Sequence, residues 1–250
     1  MKKRLVIICL FSLFLMSYGQ TNAQTDPPAY NEIKLVSDSW HNLTMENGTG
    51  LYFDLIRKVY EPMGIKVSIK IVPYARSVDM VKTGAADAWV ASFMNEQPFP
   101  LYPKWHFDRN KQMVLYSKSS GTTFSGMKSL ENKKVVWLRG FNLDKYLSVK
   151  VNLNEIDDIS QAFKILDVKR ADFFIGAESD IEAKIKEEKI DMSKYTMEFI
   201  MYLNLYLAFA NNERGKYFCE AWDKQMDSIN ATPEFRALYN KYNTPIPFEK

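Results

Sequence analysis

The order of apolar and polar positions divides most of the chain into short blocks whose period alternates between two and about 3.6. "IKLVSD", residues 33–38, reads as a strand ending in Asp38. In "GLYFDLIRKVYEPMG", residues 50–64, Leu51, Leu55, Ile56, Val59, Tyr60 and Met63 recur at helical spacing, and Gly64 stands where a helix is capped. "KVSIKIV", 66–72, alternates as a strand, "RSVDMVKTG", 76–84, predicts a short helix, and Ala88 to Ala91 predict a buried strand. This β, α, β, α, β order argues for a mainly parallel sheet flanked by helices. After Ala91 the pattern breaks into Ser92, Met94, Asn95, Glu96, Gln97 and two prolines. A polar loop at the carboxyl end of a strand is where such sheets hold ligands.

The same order restarts beyond the polar stretch "KSSGTTFSG", 118–126. "KKVVWLRG", 133–140, predicts a strand ending in glycine, "LDKYL", 143–147, the opening of a helix, "SQAFKILDVK", 160–169, a helix, and "ADFFIG", 171–176, a strand. "AADAWVA", 85–91, and "RADFFIG", 170–176, match as Ala-Asp, an aromatic and an aliphatic residue. Two ordinary helix-to-strand turns would read the same way; a true repeat predicts two lobes of one design. Two further strands, "QMVLYSK" (112–118) and "LNLYLAFAN" (203–211), stand as connections, and 215–229 and 233–242 predict a helical tail.

Lys2, Lys3 and Arg4 precede an apolar run from Leu5 to Met16, and a polar stretch ends at Ala23. This is the pattern of a secretory signal peptide over residues 1–23, its apolar run well short of the roughly 20 residues a membrane span needs. With the leader set aside, 30 Lys and Arg balance 30 Asp and Glu. A neutral chain gives no electrostatic case for nucleic acid or an anionic membrane as partner. Cys219 is then the lone cysteine, so no internal disulfide is expected despite export.

Catalytic signatures are missing: there is no G-x-S-x-G or H-E-x-x-H, and two histidines, His41 and His106, are too few for most metal sites. "GTTFSGMK", 121–128, has the glycine spacing of a phosphate loop but carries Met127 where lysine is required. Asp157 and Asp158 read as a solvated helix start. What remains is aromatic content on predicted loops: Trp40, Tyr74, Trp105 and Phe141.

"ENGTGLYFDLIRKV", "VPYARSVDMVKTGAADAWVA", "SLENKKVVWLRGFNLDKYL", "ISQAFKILDVKRADFFIG" and "FCEAWDKQMDSINATPEFRALYNKY" occur in the order and at the spacings of one family. Over nearly the whole chain after residue 23, the protein resembles bacterial extracellular solute-binding proteins of family 3, the polar amino-acid type. The resemblance implies a type II periplasmic-binding-protein fold: α/β, with two Rossmann-like lobes joined by two crossing hinge strands and a ligand cleft between them. Residues 24–114 and the C-terminal helices, 209–250, would form the first lobe, and 115–208 the second. The crossing strands would fall at 112–118 and 203–211.

Carried over position by position, the resemblance implies ligand contacts from Asp38, from Trp40 or His41, and from Tyr74, Ser92 and Met94 in the first lobe. In the second it implies Gly140, with Phe141 and Asn142 where hydroxyl residues are usual. Two anchors depart from the family pattern. Phe99 stands where an arginine grips the amino acid's carboxylate, and no basic residue lies between Lys82 and Lys104. Ala177 stands where an aspartate takes the amino group, with Glu178 one place on. Arg76 and Arg139 are the cations that could replace the clamp.

The expected function is capture of a small polar or aromatic-stacking solute by a periplasmic monomer, for an inner-membrane ABC permease or sensor, without cofactor or metal. The competing expectation is an enzyme on the same fold, a dehydratase of prephenate-like acids, with Glu178 as general acid.

Overall fold

The computed structural model describes residues 29–140 and 142–248. The expected leader at 1–23 and the candidate Phe141 therefore lie outside the described residues.

A first unit runs β1 (Glu32–Ser37), α1 (Leu51–Tyr60), β2 (Lys66–Ile71), α2 (Tyr74–Lys82) and β3 (Ala88–Phe93). α1 forms because its apolar residues recur every three to four positions; Leu51, Leu55, Ile56 and Val59 are buried on the sheet-facing side. It tightens into a turn, Glu61–Met63, and stops at Gly64, whose φ of 76° closes the end through its N–H to the Glu61 carbonyl. Gly50, at φ 127°, precedes α1, and a Cβ there would run into the Leu43 carbonyl. That close approach brings the segment after β1, with Trp40 and Leu43, onto the start of α1.

After β4 (Asp108–Ser117), a second unit holds β5 (Lys134–Leu138), β6 (Asn152–Ile156), α3 (Ile159–Asp167), β7 (Phe173–Ala177) and α4 (Glu178–Glu188). β8 (Tyr195–Phe209), α5 (Glu213–Ile229) and α6 (Pro233–Lys241) complete the chain. The strands lie in one mixed sheet ordered β2-β1-β3-β8-β4-β7-β5-β6. Its two ends repeat one plan, with the first strand of each unit flanked in parallel by the other two.

The matched aspartates anchor that plan. Asp87 donates its N–H to the Lys34 carbonyl and accepts the Lys34 N–H on Oδ2 at 2.6 Å. Asp172 does the same to Lys134, accepting its N–H at 2.8 Å. Each carboxylate pins the strand it begins to the first strand of its own unit, so the sequence match is a structural repeat.

β4 and β8 link the units. β8 pairs antiparallel with β4 through Tyr195–Leu205 and with β3 through Leu205–Phe209. β4 pairs with β7 through Gln112–Leu115, and its pairing with β8 shifts register between Gln112 and Met113. Both strands thus pass from one parallel group to the other. α5 and α6 return to the first unit, where Tyr60 donates its hydroxyl to the Phe218 carbonyl at 2.8 Å and Lys241 pairs with Asp54 at 2.9 Å. Cys219 is buried on α5, and burial pushes its thiol up to about 12.

Several expectations are corrected. Residues 143–147 do not open an α-helix; they form one 3-10 turn, Leu143–Tyr146, because Asn142 enters it at φ 49° and Leu147 leaves it extended. α2 starts two residues early, behind Pro73, so Tyr74 is its first residue and not on a loop. β8 starts eight residues before 203, and β3 runs on to Phe93 across a bulge at Ala91, φ 68°. β6 and α4 carry no counterpart in the sequence reading.

Candidate functional site

The loop after β3 is organised by Glu96. Its side chain, 1% exposed, accepts the Tyr74 hydroxyl at 2.7 Å, the Phe93 N–H at 3.1 Å and the Ser92 hydroxyl at 3.2 Å. The Trp89 indole N–H donates to Tyr74 Oη at 3.2 Å. Burial pushes the Glu96 carboxyl above the usual glutamate range, and these hydrogen bonds oppose the shift. The Tyr74 phenol is held well above its ordinary value by burial and by the carboxylate beside it.

The 3-10 turn of the second unit closes on this loop. Lys145 Nζ donates to the Glu96 carbonyl at 2.9 Å, and Tyr146 donates its hydroxyl to the Met94 carbonyl at 2.9 Å. The Phe93 and Tyr146 rings meet edge-on with centroids 5.9 Å apart. Each hydrogen bond contributes about 1 kcal/mol. A Lys145→Ala, Tyr146→Phe double variant is therefore expected to melt within a few degrees of the parent while its radius of gyration increases in small-angle scattering. An unchanged radius would show that this contact does not hold the units together.

Two hollows flank Tyr74. The outer one, about 490 Å³, lies between α2, the loop from Glu96 to Phe99 and the turn at Arg139 and Gly140. Asp38, Asp79, Lys82 and Arg139 give it charge of both signs. Inside Tyr74 a chamber of about 90 Å³ is walled by Trp40, Tyr52, Tyr74 and Phe93 and closed by Asn110 and Asp180. A smaller one, about 40 Å³, lies between Phe93, Asn110, Gln112, Ala177 and Asp180. The inner chambers draw walls from both units and from β4.

The sequence-predicted residues distribute over these spaces unevenly. Asp38 lines the outer hollow and accepts the Tyr74 N–H at 3.1 Å, fixing the start of α2. Trp40 lines the inner chamber with its ring centroid 6.2 Å from that of Tyr74. Ser92 is fully buried beneath the loop, bonded to Glu96 and Tyr102, and Met94 meets Tyr146 through its carbonyl. Arg139 and Gly140 line the outer hollow, and Arg139 is held by Asp157 at 2.8 Å and Glu155 at 3.2 Å. Asn142 folds back on the Gly140 carbonyl. Arg76 is exposed on α2 and lines none of the three spaces. Glu178 also lines none of them; it pairs with Lys111 at 2.6 Å. Trp105 is remote, bonded to Asp227 at 2.7 Å and packed on Phe248.

At the departed anchors, Phe99 packs on Trp89 with centroids 5.7 Å apart and Lys82 reaches over its ring, while Ala177 is buried at the end of β7. Sequence reasoning missed Phe93, Asn110, Gln112 and Asp180. Alternation along β4 puts Asn110 and Gln112 on one face and could have suggested that pair. Nothing local announced Asp180. Among the described residues no cluster of His, Cys, Asp and Glu could hold a metal ion, and no helix is long and apolar enough to cross a membrane.

No family model matches the chain, and no curated protein matches it. Solved structures do. A mutant of ArgBP from T. maritima is similar at a TM-score of 0.60 and 14% identity, with 85% of this chain and 95% of that one covered. An ABC uptake transporter substrate-binding protein from Streptococcus pneumoniae, with bound histidine, matches at 0.60 and 14%, covering 88% and 95%. An ancestral amino acid-binding protein, a precursor of cyclohexadienyl dehydratase, matches at 0.56 and 16%, covering 85% and 95%. The protein therefore has the fold of the substrate-binding proteins of amino-acid ABC transporters.

Proposed function

We propose that the protein is a solute-binding protein that takes a small molecule between two lobes and presents it to an ABC permease or a membrane sensor. The observation that carries this reading is the position of the inner chambers, walled by both units and crossed by the strands that join them. A molecule held there touches both halves at once, so its binding favours the closed arrangement in proportion to its preference for that form. The lobe division proposed is 24–114 with 209–250 against 115–208, supported by the passage of β4 and β8 between the parallel groups. The leader pattern at 1–23 supports a periplasmic location, and the balanced charge supports a chain without nucleic-acid partners.

The similar structures are mostly binding proteins, which supports a binding role over catalysis. The dehydratase reading needs Glu178 as an acid in the cleft, and its ion pair with Lys111 gives that role no support. The test is native mass spectrometry of the purified protein, followed by scattering with and without the released solute. A bound small molecule and compaction on its return are expected. A protein that holds no solute, takes none from a bacterial metabolite extract and keeps one radius would overturn the reading.

A further inference from the structure

The charges of the site are sorted between its spaces. Both cations, Lys82 and Arg139, line the outer hollow. Among the described residues the inner chambers have no basic side chain in their walls and one carboxylate, Asp180, which lines both. Asp180 stands in the first turn of α4, and its hydrogen-bonding neighbour is the Ser179 hydroxyl at 3.4 Å. No cation among the described residues pairs with it.

A second polar side chain lines the smaller chamber. Gln112, 3% exposed, lines it from β4, next to the register shift and opposite Ala177 in the pairing with β7. Its Nε2 donates to Asn110 Oδ1 at 2.6 Å, which leaves Oε1 buried without a partner. A buried acceptor left unmade costs about 1–3 kcal/mol, so a donor brought into the adjoining space would relieve that cost. The space of about 40 Å³ exceeds the roughly 10–15 Å³ a water-sized group requires. The adjoining chamber of about 90 Å³ is walled by Trp40, Tyr52, Tyr74 and Phe93, whose ring faces attract cations and whose area suits hydrocarbon.

We propose that the inner chambers bind a small aliphatic amine that carries no carboxylate, its ammonium in the smaller chamber and its chain among the rings; this rests on the solute-binding reading above. An ammonium is a donor-only head with three N–H groups, matching the carboxylate of Asp180 and the open Oε1 of Gln112. A carboxylate on the same molecule would have to pass Tyr74 and the buried Glu96 to reach Arg139, which Asp157 and Glu155 already hold. Ala177, where the resemblance places the amino-group partner, supplies wall and no charge, and the acceptor role passes to Asp180 one helical turn on.

Four probes of one chain length separate the possibilities by calorimetry: n-butylamine, 1-butanol, butyrate and norvaline, which is the same amine with an α-carboxylate. Butylamine alone is expected to bind measurably, with affinity at least tenfold lower in Asp180→Asn and in Gln112→Leu. Asp180 is exposed at the chamber mouth, so Asp180→Asn is expected to fold with the parental melting temperature. Binding of butyrate or norvaline as tight as that of butylamine, affinity for butylamine unchanged in Asp180→Asn, or no butylamine binding at all would each overturn the inference. If a co-purified solute without an amine compacts the protein, the amine inference fails while the binding-protein reading stands.

Discussion

Replacing Asp87 by alanine is expected to lower the melting temperature by roughly 10 °C, whereas Asp172→Ala, at the equivalent place in the second unit, is expected to lower it only a few degrees. Both carboxylates accept the N–H of their unit's first strand, Lys34 or Lys134. Only Asp87 also holds an arginine. Arg214 donates to it through Nε at 2.6 Å and Nη2 at 3.0 Å, donates to the Glu32 carbonyl, and lies over the rings of Tyr30 and Phe218. The Asp87 side chain is 8% exposed and that of Arg214 31%, so removing the carboxylate leaves a partly buried guanidinium without its partner. Breaking such a buried pair from one side costs about 3–5 kcal/mol, and each kcal/mol moves the midpoint of a chain this size by about 2–4 °C. Asp172 has only the Lys134 N–H and a long contact from Thr122 at 3.5 Å, a loss of about 1 kcal/mol. The partly exposed arginine argues for the low end of the Asp87 range. Thermal melts of the two variants check this; equal losses would show that Arg214 adds nothing to the first unit.

Glu96→Ala is expected to cost about 2–3 kcal/mol and to loosen the loop that faces the second unit, because the Phe93 N–H and the Tyr74 and Ser92 hydroxyls lose their acceptor together. Glu96→Gln separates shape from charge. Burial raises the carboxyl's pKa in the folded state, so the folded protein holds that proton more tightly than the unfolded chain does. The contribution of such a group is fully present below the unfolded value of 4.5 and is lost as pH rises through the shifted one. The stability of the parent relative to Glu96→Gln should therefore fall as pH is raised from 4.5 toward neutrality, and urea titrations across that interval measure it. A difference that rises with pH would place the ionised carboxylate among groups the fold prefers charged, and a flat one would show that folding leaves its proton affinity unchanged.

The apolar periodicity was enough to read β1, α1, α3 and the two C-terminal helices, where local spacing records burial, and β2, whose apolar residues alternate although none is fully buried. The Ala-Asp match between 85–91 and 170–176 was legible for the same reason: both aspartates serve a neighbouring strand of their own unit, in the same way twice. The absence of any basic residue between Lys82 and Lys104 was likewise a property of the sequence alone. α4 escaped because Ile181 is the lone fully buried residue among its eleven, and β6 because it is an edge strand burying only Ile156. The site depended on tertiary structure throughout. Glu96 meets Tyr74 across 22 positions, Tyr146 meets Met94 across 52, and Gln112 is buried on β4 with its Oε1 unpaired. Local patterns report which face of an element avoids water; which polar groups meet, and which acceptor is left open, is decided only when the two units and their joining strands are packed together.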